Sequence, residues 1–456
     1  RMTVTTGWLW AHPRPTLFLA TPKGRNIRPP LSPRPPMSAA PARACGIDFG
    51  TSNSTVGWLR PGVPALLPLE DGKPTLPSAV FFNADEESTH YGRDALQEYL
   101  EGYEGRLMRA LKSLLGSNLM EGSTEVGGRA LRYSDLLASF IGELKRRAER
   151  EAGRPFDQAV FGRPVFFVDD NPAADRRAQD TLEHIARQVG FREVSFQFEP
   201  IGAALHYEAS LSREELVLIA DIGGGTADFS LVRLSPERAR HVDRHSDLLG
   251  NAGLHVGGTD FDRALSLECV MPLLGYKGLM KSGAAIPSGL FFQLATWHTI
   301  NFAYTRQAFA DFQHIYRDAT AKRELDRLAR LIGQREGHWL ALQVEQAKIE
   351  LSAGASTRLQ LDRLEPGLEH DISREDFAQA THSLVERVAR TVDELLTQAG
   401  VAREHIDSLY FTGGASGVPQ LRARIAAELP RARCVEGDLF GSIGAGLAVE
   451  AARRYG

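Results

Sequence analysis

The sequence predicts an α/β protein in which two similar lobes flank a cleft. One plan, made of an apolar strand, an aspartate, a glycine-containing turn and a second apolar strand, occurs at residues 44–59 and again at residues 216–232. Strand and helix patterns alternate along the rest of the chain, as they do in α/β proteins. With 456 residues and 43% apolar composition, the chain is long enough to bury two or three domain-sized cores.

Composition excludes several classes of protein. The formal net charge of -4 leaves no basic excess to hold a phosphate backbone, so no nucleic acid partner is expected. The three cysteines (Cys45, Cys269 and Cys434) form no C-x-x-C pair, which favours a reducing, cytoplasmic location over a disulfide framework. The apolar runs fall far short of the roughly 20 residues that cross a bilayer, so no membrane partner is expected either.

The first 43 residues have a composition of their own. They hold nine of the 24 prolines and seven basic residues but no acidic one. Such a segment resists both helix and sheet formation, and we expect a disordered, proline-rich basic extension. An upstream start ahead of Met37 is favoured over an organelle address as the origin of residues 1–36, and whether they belong to the native protein stays open.

The two repeated segments are predicted to be β-hairpins that grip phosphate groups. Each has an aspartate at the end of its first strand, Asp48 or Asp221, followed by glycine and threonine. Glycine lets a phosphate approach the backbone, and consecutive N–H groups in such a turn attract anions. The aspartates are placed to hold Mg²⁺ through its water shell. Two such hairpins facing each other would clamp a triphosphate from both sides.

A third glycine turn follows a later strand. The apolar strand at residues 408–411 runs into Gly413 and Gly414, and a helical pattern follows at residues 421–429. A glycine pair between strand and helix allows a ligand to approach the backbone near a helix N-terminus, which favours negative charge. The alternative is a simple connector between strand and helix.

With these motifs in order, the sequence resembles the nucleotide-binding domain of the heat-shock protein 70 (Hsp70) family, in the superfamily of actin, sugar kinases and chaperones. Further segments that carry the resemblance are at residues 110–116, 199–204, 255–262 and 344–352. The resemblance implies an actin-like ATPase fold, with duplicated ribonuclease H-like α/β units around a nucleotide cleft. The long stretch 271–338 and the expected absence of a peptide-binding domain resemble small bacterial homologues of the YegD type.

The resemblance also implies roles for individual residues. Asp48 and Asp221 would hold the Mg²⁺ shell, and Lys112 would contact the γ-phosphate and the attacking water. The catalytic group would be completed by Glu199, Asp228 and Thr226. Contacts to the phosphates are implied for Thr51, Ser52, Asn53, Gly223, Gly224, Gly225 and Thr226. Gly50, Gly257 and Gly258 are implied as further cofactor-binding residues. The alternatives are that Lys112 is a solvated surface charge and that Glu199 only complements a helix dipole.

For the nucleoside, three polar residues share one helix face. Glu345, Lys348 and Ser352 lie three and four residues apart, and the resemblance assigns this face to the ribose and adenine, although an exposed, salt-bridged stripe has the same spacing. The resemblance adds Gly413, Gly414 and Asp438 to this set. Many relatives carry an adenine-stacking arginine where this chain has Gly417, and losing such a cation costs on the order of 1 kcal/mol.

The expected domain layout follows from these motifs. Lobe I is predicted at residues 44–215, with 432–456 returning to it, and lobe II at 216–431, with an outer subdomain at about 260–372. Within lobe II, apolar spacing predicts a helix over 376–399, with Ser373 as its cap and Gly400 as its stop.

The predicted function is that of an ATP-binding, slowly ATP-hydrolysing, chaperone-like protein whose lobes open and close with the nucleotide. ATP or ADP with Mg²⁺ are the expected cofactors, and a co-chaperone, an exchange factor or a client protein are the expected partners. Two alternatives stay open: a small-molecule kinase of the sugar-kinase type, and an actin-like filament-forming protein.

Overall fold

The structure is a computed structural model that describes residues 43–63, 65–240 and 245–456. The strands are β1 (Ala44–Asp48), β2 (Asn53–Gly57), β3 (Thr75–Pro77), β4 (Ala79–Asn83), β5 (Ser88–Tyr91), β6 (Gly105–Arg109), β7 (Ser123–Val126), β8 (Arg129–Arg132), β9 (Gln158–Arg163), β10 (Glu193–Phe198), β11 (Glu215–Ile222), β12 (Ala227–Leu234), β13 (Leu248–Leu254), β14 (Ser356–Gln360), β15 (Glu369–Ser373), β16 (Ser408–Thr412) and β17 (Arg433–Glu436). The helices are α1 (Arg93–Glu101), α2 (Tyr133–Ala152), α3 (Pro172–Gln188), α4 (Glu199–Glu208), α5 (Gly258–Leu265), α6 (Gly289–Leu294), α7 (Arg306–Asp318), α8 (Lys322–Gly333), α9 (Gly337–Ala353), α10 (Arg374–Ala399), α11 (Pro419–Glu428) and α12 (Ser442–Tyr455). The prediction for residues 1–43 lies outside the described residues apart from Arg43.

Two five-stranded sheets have the same topology. The strand orders are β10-β9-β1-β2-β3 and β17-β16-β11-β12-β13. In each sheet a central antiparallel hairpin, β1 with β2 or β11 with β12, has two parallel strands on one side and one antiparallel strand on the other. The duplicated α/β architecture predicted from the repeated hairpins is confirmed.

Each sheet has its own hydrophobic core. Phe49, Phe140 and Phe161 are fully buried where α2 and α3 cover the first sheet. Phe229 and Phe377 occupy the corresponding core of the second sheet, which is larger because it continues into the helices between residues 258 and 353. Complete burial of such aromatic side chains contributes about 1.5–3 kcal/mol each, so both sheets are anchored independently.

The helix predicted between Ser373 and Gly400 is present as α10. The Ser373 hydroxyl accepts from the Asp376 N–H at 3.1 Å, and the Asp376 carboxylate accepts from the Ser373 N–H at 2.9 Å, which satisfies two donors at the helix start. At the other end Gly400 adopts a left-handed conformation with φ of 63°. Local chemistry therefore fixes both ends of this helix.

The C-terminal segment divides between the two sheets. Strand β17 pairs in parallel with β16, with Arg433 opposite Ser408, so it extends the second sheet. The expectation that all of residues 432–456 return to lobe I is wrong for this strand, because its backbone groups are satisfied by β16. Only helix α12 reaches the first sheet, where it packs on β1 and on α4.

Candidate functional site

The glycine turns of the two central hairpins meet. The first turn, residues 49–52, joins β1 to β2, and the second, residues 223–226, joins β11 to β12. A Cβ atom built on Gly224 would collide with the Ser52 hydroxyl. The two turns can therefore lie this close together only because residue 224 has no side chain. The Gly223 N–H donates to the Thr226 carbonyl at 2.9 Å and closes the second turn.

A cavity of about 390 Å³ lies where these turns meet, within the usual size range of small-molecule sites. It brings together most of the residues that the sequence singled out. Those that line it are Asp48, Gly50, Thr51, Ser52, Asn53, Lys112, Glu199, Asp221, Gly223, Gly224, Gly225, Thr226, Gly258, Glu345, Lys348, Ser352, Gly413 and Gly414. These residues come from the two central hairpins, the turn after β16 and helix α9, together with Lys112 after β6 and the first residues of α4 and α5.

Three predicted residues lie behind the cavity wall. Asp228 accepts from the Val165 N–H at 2.5 Å and bonds the Thr226 side chain. A Cβ on Gly257 would lie 2.5 Å from the Gly225 nitrogen, so this glycine backs the second phosphate turn. Asp438 accepts from the N–H of Phe440 at 3.1 Å and shapes its own loop. Neither Gly257 nor Asp438 is among the described residues that line the cavity, and their roles toward a ligand stay predictions.

Lys112 lies among four buried carboxyl groups, those of Asp48, Glu199, Asp221 and Asp228. Its side chain is only 7% exposed and its ammonium donates to Glu199 Oε1, which rules out the solvated alternative. Burial opposes the charge, but Glu199 and Asp48 outweigh it and raise the pKa of Lys112. Burial, assisted by the neighbouring Glu199, raises the pKa of Asp48 to about 7 and that of Asp228 to about 7.

The carboxylate cluster fits a hard divalent cation. Burial and the three neighbouring carboxylates raise the pKa of Asp221 well above its usual value. Among the described residues, Asp221 Oδ1 has no hydrogen-bond partner although it is buried. The raised pKa values reflect burial and repulsion among four carboxyl groups that share one ammonium, a repulsion that a divalent cation would relieve. Carboxylate oxygens are among the ligands that Mg²⁺ accepts. Asp48 and Asp221 therefore have the chemistry that a Mg²⁺ site requires.

The helix face expected to hold the nucleoside is already engaged within the protein. Both Glu345 oxygens accept from the Arg109 guanidinium, at 2.5 and 2.9 Å. Lys348 Nζ lies 2.7 Å from an Asp262 oxygen, and Ser352 Oγ donates to the Lys348 carbonyl at 2.9 Å. These three side chains line the cavity, but they do so with fixed orientations.

Several cavity residues were not anticipated from the sequence. They are mostly apolar: Ile349, Thr412, Ala415, Val418, Leu439, Phe440 and Ile443. Ile349 shares the helix face of Glu345 and Ser352, so its spacing could have indicated it. Phe440 follows no periodic pattern, and its only sequence signal was its distance of two residues from Asp438.

Two sheets of equal topology, with their glycine turns meeting at a cavity that holds buried carboxyl groups, define the actin-like ATPase fold. The Hsp70 protein family model matches residues 44–271 and 312–452, so the chain belongs to the Hsp70 family, as its motifs predicted. The chain is also similar to the chaperone protein DnaK of Thermosipho africanus (strain TCF52B), with 27% identity over 386 residues. That match covers 83% of this chain but only 53% of the relative.

The chain thus spans about half the length of this curated relative. Segment 272–311 is unmatched by the family model and lies between its two matched parts. None of the helices that the structure describes has the length and apolar content needed to cross a bilayer.

Proposed function

We propose that the chain binds ATP with Mg²⁺ in the cavity and hydrolyses it slowly, as a chaperone-like switch. In this proposal the lobes close on ATP and open after hydrolysis or release. The observation that carries it is the position of Lys112, buried with four carboxyl groups where the two glycine turns meet. Membership of the Hsp70 family and similarity to a DnaK chaperone support the same proposal.

The phosphates would lie between the two turns. Residues 50–53 and 223–226 line the cavity from opposite sheets, and their glycines leave room for phosphate oxygens near the backbone. Lys112 would exchange part of its contact with Glu199 for the terminal phosphate, because a phosphate oxygen, like the Glu199 carboxylate, accepts a charge-assisted hydrogen bond from an ammonium. Its ammonium would then neutralise charge that develops as the phosphoryl group leaves.

Glu199 would orient the attacking water. Its carboxylate lies beside Lys112, so both groups can address the same side of the terminal phosphate. Thr226 lines the cavity and Asp228, behind it, would act as a positioning residue through their hydrogen bond. Asp48 and Asp221 would hold Mg²⁺, which when bound supplies positive charge to the phosphate oxygens.

Partners are part of the proposal at a coarser level. We propose a client protein, a co-chaperone or an exchange factor as the partner class, because the chain is similar to a chaperone. We also propose a cytoplasmic location, because the three scattered cysteines favour a reducing compartment.

Phosphate release from ATP by the purified full chain tests this function. Wild type and Lys112→Ala are compared with and without a panel of sugars, at fixed Mg²⁺. We expect slow, sugar-independent release by wild type and its loss in Lys112→Ala, with ATP still bound by the variant. Release at the wild-type rate by Lys112→Ala would contradict the assignment of the lysine.

Two further readouts address the alternatives. Turnover that depends on a sugar would favour the small-molecule kinase over the chaperone-like ATPase. Light scattering on addition of ATP and Mg²⁺ would rise with time if the chain forms filaments, and we expect it to stay constant.

A further inference from the structure

The cavity has a second, apolar end. Ile349 on α9 and Phe440 in the loop before α12 both line the cavity. Ile349 is 54% exposed and Phe440 is 50% exposed. Large apolar side chains left half open to water inside a cavity are unfavourable unless a ligand covers them. The polar groups that would grip phosphate lie elsewhere in the same cavity, so one ligand can contact both ends.

The position of Phe440 is built into the backbone. A Cβ atom on Gly414 would lie 2.8 Å from Phe440 Cε1, so the ring lies directly against the glycine turn that follows β16. The Asp438 carboxylate accepts from the Phe440 N–H at 3.1 Å and fixes the short loop that carries the ring. Phe440 is therefore held at the cavity wall although half of it is open.

The polar side chains that neighbour Ile349 on this face of α9 already have partners within the protein, so their donors are engaged before a base arrives. Ser352 donates its hydroxyl proton to the Lys348 carbonyl, and Lys348 is paired with Asp262. Val418 and Leu439, which also line the cavity, carry no polar side-chain atom. A site of this kind accepts a flat apolar ring but distinguishes weakly between rings of the same shape.

We propose that Phe440 and Ile349 form a slot that holds the purine base by stacking and apolar contact. The base is then recognised as a flat ring rather than by hydrogen bonds to its edge, and ATP and GTP both bind. This inference rests on the proposed nucleotide function and deepens it, because it assigns the base-holding residues and the substrate class, purine nucleoside triphosphates.

Calorimetric titration of the full chain with ATP, GTP and inorganic tripolyphosphate, each with Mg²⁺, tests the slot. Because alanine removes the stacking surface, Phe440→Ala should bind ATP and GTP about tenfold more weakly than wild type, with tripolyphosphate binding unchanged. Ile349→Ala should show a smaller loss of the same kind, and Phe440→Trp should retain affinity. Wild-type affinities for ATP and GTP should agree within about tenfold.

Phe309 provides a matched control, since it is also 50% exposed but lies on α7 and does not line the cavity. Phe309→Ala should bind all three ligands as wild type does. If wild type binds ATP and Phe440→Ala binds it equally well, the slot is overturned while the proposed function stands. If wild type binds neither ATP nor tripolyphosphate, the proposed function fails and the slot fails with it.

Discussion

Arg109 and Glu345 form a bidentate ion pair between strand β6 and helix α9. The guanidinium donates to both carboxylate oxygens at 2.5 and 2.9 Å, and the two side chains are only 9% and 18% exposed. The Arg109 guanidinium also lies 4.4 Å from the centre of the Trp297 ring. Trp297 belongs to the segment that the family model leaves unmatched, so this contact ties that segment to the cavity wall.

The first prediction concerns this ion pair. Arg109→Met leaves the mostly buried Glu345 carboxylate without its guanidinium partner. The loss of this pair should lower the free energy of unfolding by about 2–3 kcal/mol. Burial alone would raise the pKa of Glu345, but Arg109 outweighs it and holds that pKa below its usual value. Denaturant unfolding followed by circular dichroism measures the change.

Two variants make the result specific. Arg109→Met/Glu345→Leu removes both charges and should recover most of the lost free energy, because no unpaired carboxylate remains. Arg358→Met removes an arginine from the exposed pair with Asp371 and should leave the free energy of unfolding near the wild-type value. An equal effect of Arg109→Met and Arg358→Met would contradict the assigned role of burial.

Local signals explain which parts of the fold the sequence predicts well. Each hairpin has an aspartate two residues before a glycine, Asp48 before Gly50 and Asp221 before Gly223, between apolar strands. Helix α10 has Ser373 and Gly400 at its ends. These patterns depend on residues that are close in the sequence, so they can be recognised without knowledge of the tertiary structure. Strand β17 has no such signal, since its residues are mostly exposed and its place depends on pairing with β16.

The candidate site shows the same limit. Spacing placed Glu345, Lys348 and Ser352 on one face, and all three line the cavity. Spacing could not show that Arg109, more than 230 residues away, occupies the Glu345 carboxylate, because that contact exists only after the sheets and helices pack. Nor could it show that Asp438 bonds within its own loop, which depends on the conformation of residues 438–440.

A second prediction concerns the glycine turn after β16. Gly413 has φ of 78°, and a Cβ there would lie 2.5 Å from both Asp221 Oδ1 and the Ile222 carbonyl. Gly413→Ala should therefore displace a proposed Mg²⁺ ligand and weaken binding of ATP at least tenfold, measured by calorimetric titration. Gly367→Ala is the control, because Gly367 has φ of 72° but no atom within 4 Å of the added Cβ. Equal ATP binding by both variants would contradict this steric argument.

A third prediction tests the consequence of Gly417. The nearest atom to a Cβ built there is Leu439 Cδ1 at 3.8 Å, so a side chain has room beside the cavity. A guanidinium over a purine ring adds roughly 1 kcal/mol, and Gly417→Arg should therefore bind ATP about fivefold more tightly than wild type.

Gly417→Met is the matched variant for that measurement, since it adds length without charge. It should gain less than Gly417→Arg, and the gain of the arginine variant should shrink at high salt. An equal gain in both variants would show that added apolar contact, rather than the cation, is responsible.

The last prediction concerns the buried His338, which is 2% exposed and packs against the rings of Tyr99 and Trp297. Burial, assisted by the charges of Arg106 and Arg109, lowers the pKa of His338 to about 3. An unfolded histidine has a pKa of about 6.5, so between pH 6.5 and 3 the unfolded chain binds a proton that the folded chain does not. The stability that neutral His338 contributes is therefore complete above pH 6.5 and is lost as the pH falls.

Comparison with His338→Phe isolates this effect, because phenylalanine keeps an aromatic ring but cannot titrate. The difference in free energy of unfolding between wild type and His338→Phe should move against wild type by about 2 kcal/mol from pH 7 to pH 5, following a slope of about 1.4 kcal/mol per pH unit below pH 6.5. His338→Leu should show the same pH-dependent part with a different constant offset, since its packing differs. A difference that stays constant from pH 7 to pH 5 for both variants would mean that His338 binds its proton equally well in the folded chain, contrary to its burial between two aromatic rings.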